Sequence, residues 1–364
     1  MSAPRFAPRF LFVPVTGPYG MGEYARSLAI ARAARHRWPD AAIRFMLSRE
    51  APYAAGTPFE AILLPRSATF HTREVIAAIA DFRPDIAIFD NAGRTAQLRA
   101  ARAAGAAVVY ISARARQRRK AGRLRWLRLI DEHWIAYPRF LCVATGPIEA
   151  LKRRLLRRPA PRYLDVVLPA ADAARCAALL ADLDLAAAAP VLVVPGGGTG
   201  HPGAADAARC FLAAAAALAV DGAPTVYVGP GGAVDAAAPH HLRRRASLPQ
   251  ADLAELMRIA RLVVANGGST MVQAIACAAP CVAVPIAGDQ DARIGRAVGA
   301  GVVVRAPLDA AAIERTAREL LGDEPARAAL ARRAAALPLA DGIAVAVEAL
   351  GSLLERSRPR AAGR

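Results

Sequence analysis

Two glycine-rich strings in the second half of the chain carry the strongest chemical signal. The first, GGGTGHPG at residues 196–203, follows the apolar run Val191–Val194 and precedes a long helical segment. Glycine lets a backbone come close to a ligand, and a helix N-terminus offers unpaired N–H groups and the positive end of a dipole. Together they predict an anion site suited to a phosphate. Gly198, Gly200 and Gly203 also satisfy GxGxxG, but the next strand runs into Gly229-Pro230 without the acid that would hold a ribose. No Lys-Ser/Thr follows the last glycine, which excludes a Walker A loop. The second string, NGGST at Asn266–Thr270, again lies between a strand and a helix. Its glycines free the backbone, while Ser269 and Thr270 bring hydroxyls to the helix start, to cap it or to bond phosphate oxygens. Further on, Asp289 and Gln290 follow a strand end in a polar loop, an acid and an amide able to grip sugar hydroxyls.

The first half offers the groups for proton transfer. Gly20 and Gly22 sit in a turn after the apolar run Phe10–Val15, and Glu23 opens the following helix. A carboxylate held near an acceptor hydroxyl can take its proton. The plainer role for Glu23 is to favour the helix N-terminus, worth under ~1 kcal/mol. Asp90, at the end of the run Ile86–Phe89, is the competing base, since strand C-termini in parallel sheets face the ligand crevice. Its plainer role is to cap the helix starting near Gly93. Arg26 is either structural or near the acceptor or donor.

Apolar strands alternate with helices throughout, which predicts βαβ units and parallel sheets. Strands are expected at Phe10–Val15, Ala42–Leu47, Ile86–Phe89, Ala107–Ile111, Val191–Val194, Pro224–Val228, Leu262–Ala265 and Pro280–Pro285. Helices are expected at Glu23–Arg37, Thr72–Phe82, Gly93–Ala104, Ala204–Val220, Ala251–Ala260 and Gly342–Leu354. Both halves begin with an apolar strand, a glycine-rich loop and a long helix. The expected architecture is α/β, with two Rossmann-like doubly wound domains facing a cleft. The divisions are residues 1–150 (acceptor domain), 151–187 (linker), 188–340 (donor domain), 341–356 (closing helix) and 357–364 (basic disordered tail).

The stretch LVVANGGSTMVQAIACAAPCVAVPIAGDQ resembles the C-terminal signature of GT-B glycosyltransferases, above all the MurG-like group and the related pseudaminic-acid sugar-nucleotide hydrolases. GPYGMGEYARSLAIARA resembles their opening loop and helix. The resemblance covers most of the chain and is most specific at 262–290. It implies that Gly197, Gly198, Thr199, Gly268, Ser269 and Thr270 bind a nucleotide diphosphate. Asp289 and Gln290 would face the donor sugar, and Leu248 would lie beside the nucleobase. Gln273 stands where relatives keep a ribose-binding Glu. Gly20, Gly22 and Arg26 fall on the acceptor side. Many relatives place a histidine base after the first loop; here Glu23 follows Gly22. The implied reaction is direct displacement by a hydroxyl on a nucleotide-diphosphate sugar, with no cofactor and no metal, since no His/carboxylate cluster argues for a bound cation.

Composition narrows the alternatives. The chain has 364 residues, 55% of them apolar, enough for about two domains on a ~150-residue prior. The net charge of +18 comes almost wholly from arginine, with Lys120 and Lys152 the only lysines. No nucleic-acid-binding motif accompanies it, and no nucleic-acid partner is expected. Five scattered cysteines suggest neither a zinc site nor a disulfide framework, which fits a reducing cytoplasm. Residues 113–129 cluster arginines with Leu124, Trp126 and Leu127, a pattern that suits an anionic membrane surface or a polyanionic acceptor and, more plainly, a solvated basic loop and helix. A lipid-linked or other glycan acceptor, and a peripheral place on the inner membrane face, would unite this segment with the resemblance. Three rivals share these features. One is a nucleotide-sugar hydrolase or epimerase. Another is an NAD(P) oxidoreductase, since Gly20, Gly22 and Ala25 approximate GxGxxA. The third is a non-catalytic polyanion-binding protein.

Overall fold

Strand and helix alternate along the computed structural model, which describes residues 7–18, 21–143, 146–185, 189–196, 204–220, 222–231 and 239–357. Gly20, Gly197, Gly198, Thr199 and the tail after Ser357 therefore lie outside the described residues. The first sheet comprises β1 (Arg9–Pro14), β2 (Ala42–Ser48), β3 (Glu60–Leu64), β4 (Ile86–Asp90), β5 (Ala107–Ser112), β6 (Glu132–Ile135) and β7 (Arg162–Tyr163). Its spatial order is β3-β2-β1-β4-β5-β6-β7. The second comprises β8 (Val191–Val194), β9 (Thr225–Val228), β10 (Leu242–Arg245), β11 (Leu262–Asn266), β12 (Cys281–Val284) and β13 (Val304–Arg305), in the order β10-β9-β8-β11-β12-β13. Every pairing between these strands is parallel.

Each sheet is doubly wound. In the first, the chain moves outward from β1 to β3, then returns to the centre and moves the other way from β4. In the second, the same reversal separates β8 from β11. A ligand crevice forms outside the strand C-termini at such a reversal, because the flanking loops diverge to opposite faces. The central strands are buried on both faces, which is why their sequences read as unbroken apolar runs.

The chain divides into two compact units. One holds residues up to 139, 143–167 and 340 onward; the other holds 140–142 and 168–339. In the first, Leu11, Val13, Ile79, Phe89, Tyr110 and Trp126 share one core. In the second, Val193, Phe211, Leu218, Val264, Val284 and Ile313 do so. The last helix, Gly342–Ser357, belongs to the first unit, where Gly351 lies against the Trp38 ring. Gly342 makes that return possible, because a Cβ there would collide with the Leu164 and Val166 carbonyls.

Central elements follow the apolar pattern closely. Thr72–Phe82 and Val191–Val194 occupy the expected residues. The strands that pattern alone did not reveal, β3, β6, β7, β10 and β13, are short and hold charged residues such as Glu60, Glu132 and Arg243. The arginine-rich segment also departs from expectation. It forms the helices Ala115–Ala121 and Leu124–Leu127, and Trp126 and Leu127 are buried. Trp126 meets Tyr110 edge-on and donates from Nε1 to Thr95 Oγ1 at 3.1 Å. Trp126 and Leu127 therefore anchor the core, with Leu129 packed against it, and cannot face a membrane.

Candidate functional site

At the reversal of the first sheet, β1 and β4 end beside the helix Gly22–Arg37. That helix has Glu23 in its first turn and Arg35, His36 and Arg37 in its last, an arrangement matched to its dipole. Arg26 reaches from it to Asp90, with Nε donating to Oδ2 at 2.8 Å and Nη2 to Oδ1 at 2.6 Å. Ser27 Oγ lies 3.4 Å from Oδ2. Asp90 is 0% exposed. Burial pushes its carboxyl up to about 6, while Arg26 pulls it down and Glu23 adds to the rise. Burial opposes the charge of Arg26, but Asp90 outweighs it and holds the guanidinium protonated. Both Asp90 oxygens thus face a fixed fork rather than open space. Asp90 does not cap the next helix, which begins at Thr95 and is closed instead by Gln97 Oε1 accepting from Arg94 N–H.

Glu23 is half-buried and accepts from Asn91 Nδ2 at 2.8 Å. Asn91 sits at φ 52, a left-handed conformation that asparagine tolerates, and its Oδ1 accepts from Ala113 N–H at 2.8 Å. One amide therefore joins β4, the start of the chain after β5, and the Glu23 carboxylate. Tyr53 lies close enough for its hydroxyl to be raised, first by burial and then by the Glu23 charge. Asn91 and Ser27 carried no motif that sequence reasoning could have used; they became visible only when β4 was laid beside that helix.

At the reversal of the second sheet, Pro195 and Gly196, at the start of the first glycine string, meet the second string. Asn266, the last residue of β11, donates from Nδ2 to Pro195 O at 2.6 Å, and its Oδ1 accepts from Gly268 N–H at 2.7 Å. A Cβ at Gly196, where φ is 90°, would fall on Asn266 Nδ2. A Cβ at Gly268 would stand 2.6 Å from Asn266 Oδ1. These glycines are therefore required by the close passage of Asn266, besides any ligand. Gly267 N–H is also engaged, by Val284 O and by Gln290 Oε1, each at 3.2 Å. The helix Ser269–Ala276 begins here, and Ser269 and Thr270 in its first turn are partly exposed. Gln273 is partly exposed and follows Ser269 and Thr270 by four and three residues, on the same helix face.

Gln290 is buried, and its Oε1 also accepts from Ile286 N–H at 3.0 Å. Its carbonyl thus clasps the loop after β12 rather than facing outward. Asp289 is exposed and pairs with Arg293 at 2.9 Å. Arg293, buried, also donates to Gly267 O at 2.5 Å. Its signal in the sequence was the i,i+4 spacing from Asp289. Leu248 is partly exposed just before the helix Gln250–Ile259. Among the described residues, no three His, Cys, Asp or Glu side chains gather as a metal-binding group.

The calicheamicin glycosyltransferase CalG4 has the same architecture over 97% of this chain and 100% of its own, with a TM-score of 0.63 at 16% identity. The chain has the GT-B glycosyltransferase fold. Glycosyltransferase VinC, solved in complex with dTDP, is similar over 96% of this chain and 99% of its own, with a TM-score of 0.65 and 16% identity. A putative UDP-N-acetylglucosamine 2-epimerase from Listeria monocytogenes shares the GT-B fold over 95% of both chains, with a TM-score of 0.61 and 12% identity. No protein-family model and no curated protein sequence matches the chain. At these identities the likeness defines architecture, and one architecture hosts several chemistries.

Proposed function

We propose that this chain is a glycosyltransferase that moves a sugar from a nucleotide-diphosphate donor to a hydroxyl acceptor. The observation that carries the reading is the meeting of Pro195-Gly196 with Asn266–Gly268 at the reversal of the second sheet, beside a helix N-terminus whose Ser269 and Thr270 are partly exposed. In this reading the diphosphate lies against the Ser269 and Thr270 N–H and hydroxyl groups and against the string that contains Gly197, Gly198 and Thr199. Gly268 lets the chain pass Asn266. Gln273 bonds a ribose hydroxyl, Leu248 lies beside the base, and Asp289 grips the sugar, while Gln290 and Arg293 hold the loop in place.

Glu23 is the base in this proposal. Its carboxylate is partly open, fixed by Asn91, and not paired to Arg26. It takes the proton of the acceptor hydroxyl; the oxygen attacks the anomeric carbon, and the bond from that carbon to the diphosphate oxygen breaks. The leaving diphosphate gains the charge, which the helix N-terminus stabilises without a metal. Asp90 and Arg26 are positioning residues, since their buried pair fixes the helix that carries Glu23. The acceptor is a lipid- or polysaccharide-linked glycan, with the arginines of 113–129 facing its anionic carrier.

Glu23→Gln tests this assignment. Turnover should fall about 10²–10⁴-fold, with the thermal shift produced by nucleoside diphosphates retained. Unchanged turnover removes Glu23 as base, and no shift with any nucleoside diphosphate removes the donor site. The epimerase neighbour favours a second reading, in which a nucleotide sugar is hydrolysed or epimerised. Incubation with donor alone separates the two: free sugar or an epimer, formed at the rate of turnover, selects the second.

A further inference from the structure

The helix Pro147–Leu155 is built inside out. Two of its four charged residues, Glu149 and Arg153, face the protein: Arg153 is buried, donates to Glu149 Oε1 from Nε at 3.0 Å, and reaches His133 Nδ1 with Nη2 at 2.8 Å. Its large apolar residues face outward, with Ile148 70%, Leu151 56% and Leu155 73% exposed. These fall at i, i+3 and i+7 and form one stripe. Val143 and Leu124 are also exposed large apolar residues, and Gly122, two residues before Leu124, lies against the Glu149 carboxyl of this helix. Scattered exposed leucines need no explanation, whereas an exposed stripe on a helix that turns an arginine inward does.

The surroundings of the stripe say what covers it. Residues 113–158 hold fourteen Lys or Arg against three Asp or Glu, and Arg123, Arg125, Arg154 and Arg157 are exposed. Arg158 donates to Arg128 O at 2.8 Å, which ties the arginine-rich segment to the end of this helix. Apolar side chains rimmed by arginine complement an anionic lipid surface: the leucines enter the acyl boundary while the guanidiniums meet the headgroups. A second copy of this chain would have to bring the same cationic rim against itself, which charge repulsion opposes. Among the described residues, no helix is long and apolar enough to cross a membrane, so the contact is with one face.

We propose that Ile148, Leu151 and Leu155 dock the first unit on an anionic bilayer, with the neighbouring arginines as the electrostatic half of the contact. The proposal extends the transferase reading by naming the surface from which a lipid-linked acceptor would be taken, and for that role alone it rests on that reading.

The full chain is floated with phosphatidylcholine vesicles with and without phosphatidylglycerol. Wild type should float with the anionic vesicles, and the Ile148→Ser/Leu151→Ser/Leu155→Ser variant should bind them more than about tenfold more weakly with an unchanged melting temperature. Equal flotation of the two proteins, flotation independent of anionic lipid, or none at all overturns the proposal. So does a wild-type dimer that becomes a monomer in the triple variant, which would make the stripe a contact between copies. If the triple variant fails to fold, Leu151→Trp serves in its place, and the absence of a blue shift on anionic vesicles overturns the idea. The thermal shift by nucleoside diphosphates, measured without vesicles, reports on the transferase reading separately.

Discussion

The two sheet reversals occupy the same topological position and are built from opposite materials. In the first unit, the groups at the strand ends are charged and buried: Arg26 and Asp90 form a closed pair, with Glu23 beside it. In the second, backbone amides, glycines and the neutral side chains of Asn266 and Gln290 make most of the close contacts; the buried Arg293 joins them at Gly267 O, and its acid, Asp289, stays in solvent. The difference follows from what each would hold. A diphosphate brings its own charge and is best met by fixed dipoles, whereas a hydroxyl must be met by a group that accepts a proton.

The largest effect should come from opening the charged pair. Asp90→Ala or Arg26→Ala leaves one buried charge without its partner and should destabilise the chain by about 3–5 kcal/mol in urea unfolding. Arg293→Ala, whose partner Asp289 is hydrated, should cost clearly less. Equal costs would erase the contrast between the two sites.

Glycine is the corresponding weak point of the second site. Gly196→Ala combines a left-handed φ with a collision at Asn266, and should destabilise by about 2–4 kcal/mol and abolish the nucleotide thermal shift. Adding Asn266→Ala should restore only part of the stability, because the backbone strain stays. Full restoration would make the collision the whole cause.

The smallest effect separates the units by pH. His133 in the first unit accepts at Nδ1 from Arg153 and meets Ser112 Oγ with Nε2 at 2.9 Å. Burial, then Arg153 and Arg118, push its imidazole down from 6.5 to about 3. A depressed histidine contributes stability that is complete above pH 6.5 and is lost as pH falls, because only the unfolded chain takes the proton. Between pH 7 and pH 5 the loss is about 2 kcal/mol. Asp90 acts in the opposite sense, since its raised carboxyl favours the folded state on protonation below about pH 6. Thermal unfolding of wild type and His133→Gln at both pH values therefore isolates the histidine: the variant should lack this loss. An identical pH dependence would contradict it.

Much of the fold could be read from apolar runs, because a strand buried on both faces admits hardly any other residue. β4, β5, β8 and β11 announced themselves for that reason, whereas β10, with the sequence LRRR, did not. At the sites, residue type was legible and role was not. Glu23 and Asp90 looked equivalent as carboxylates, and burial with Arg26 separated them. Gly268 and Gln290 read as ligand groups, but their N–H and carbonyl are engaged within the protein.

Order along the chain thus determined the two doubly wound sheets and the glycine strings that follow β8 and β11, since periodicity and backbone freedom are local properties. Only the tertiary structure decided which polar groups are already satisfied: the partner of Asp90 is 64 residues away in Arg26, and that of Asn266 is 71 residues away at Pro195. It also turned the apolar face of the helix Pro147–Leu155 outward, because a helical repeat shows that two faces differ, while which of them meets the protein depends on the partners waiting there, here the neutral His133 that accepts from Arg153.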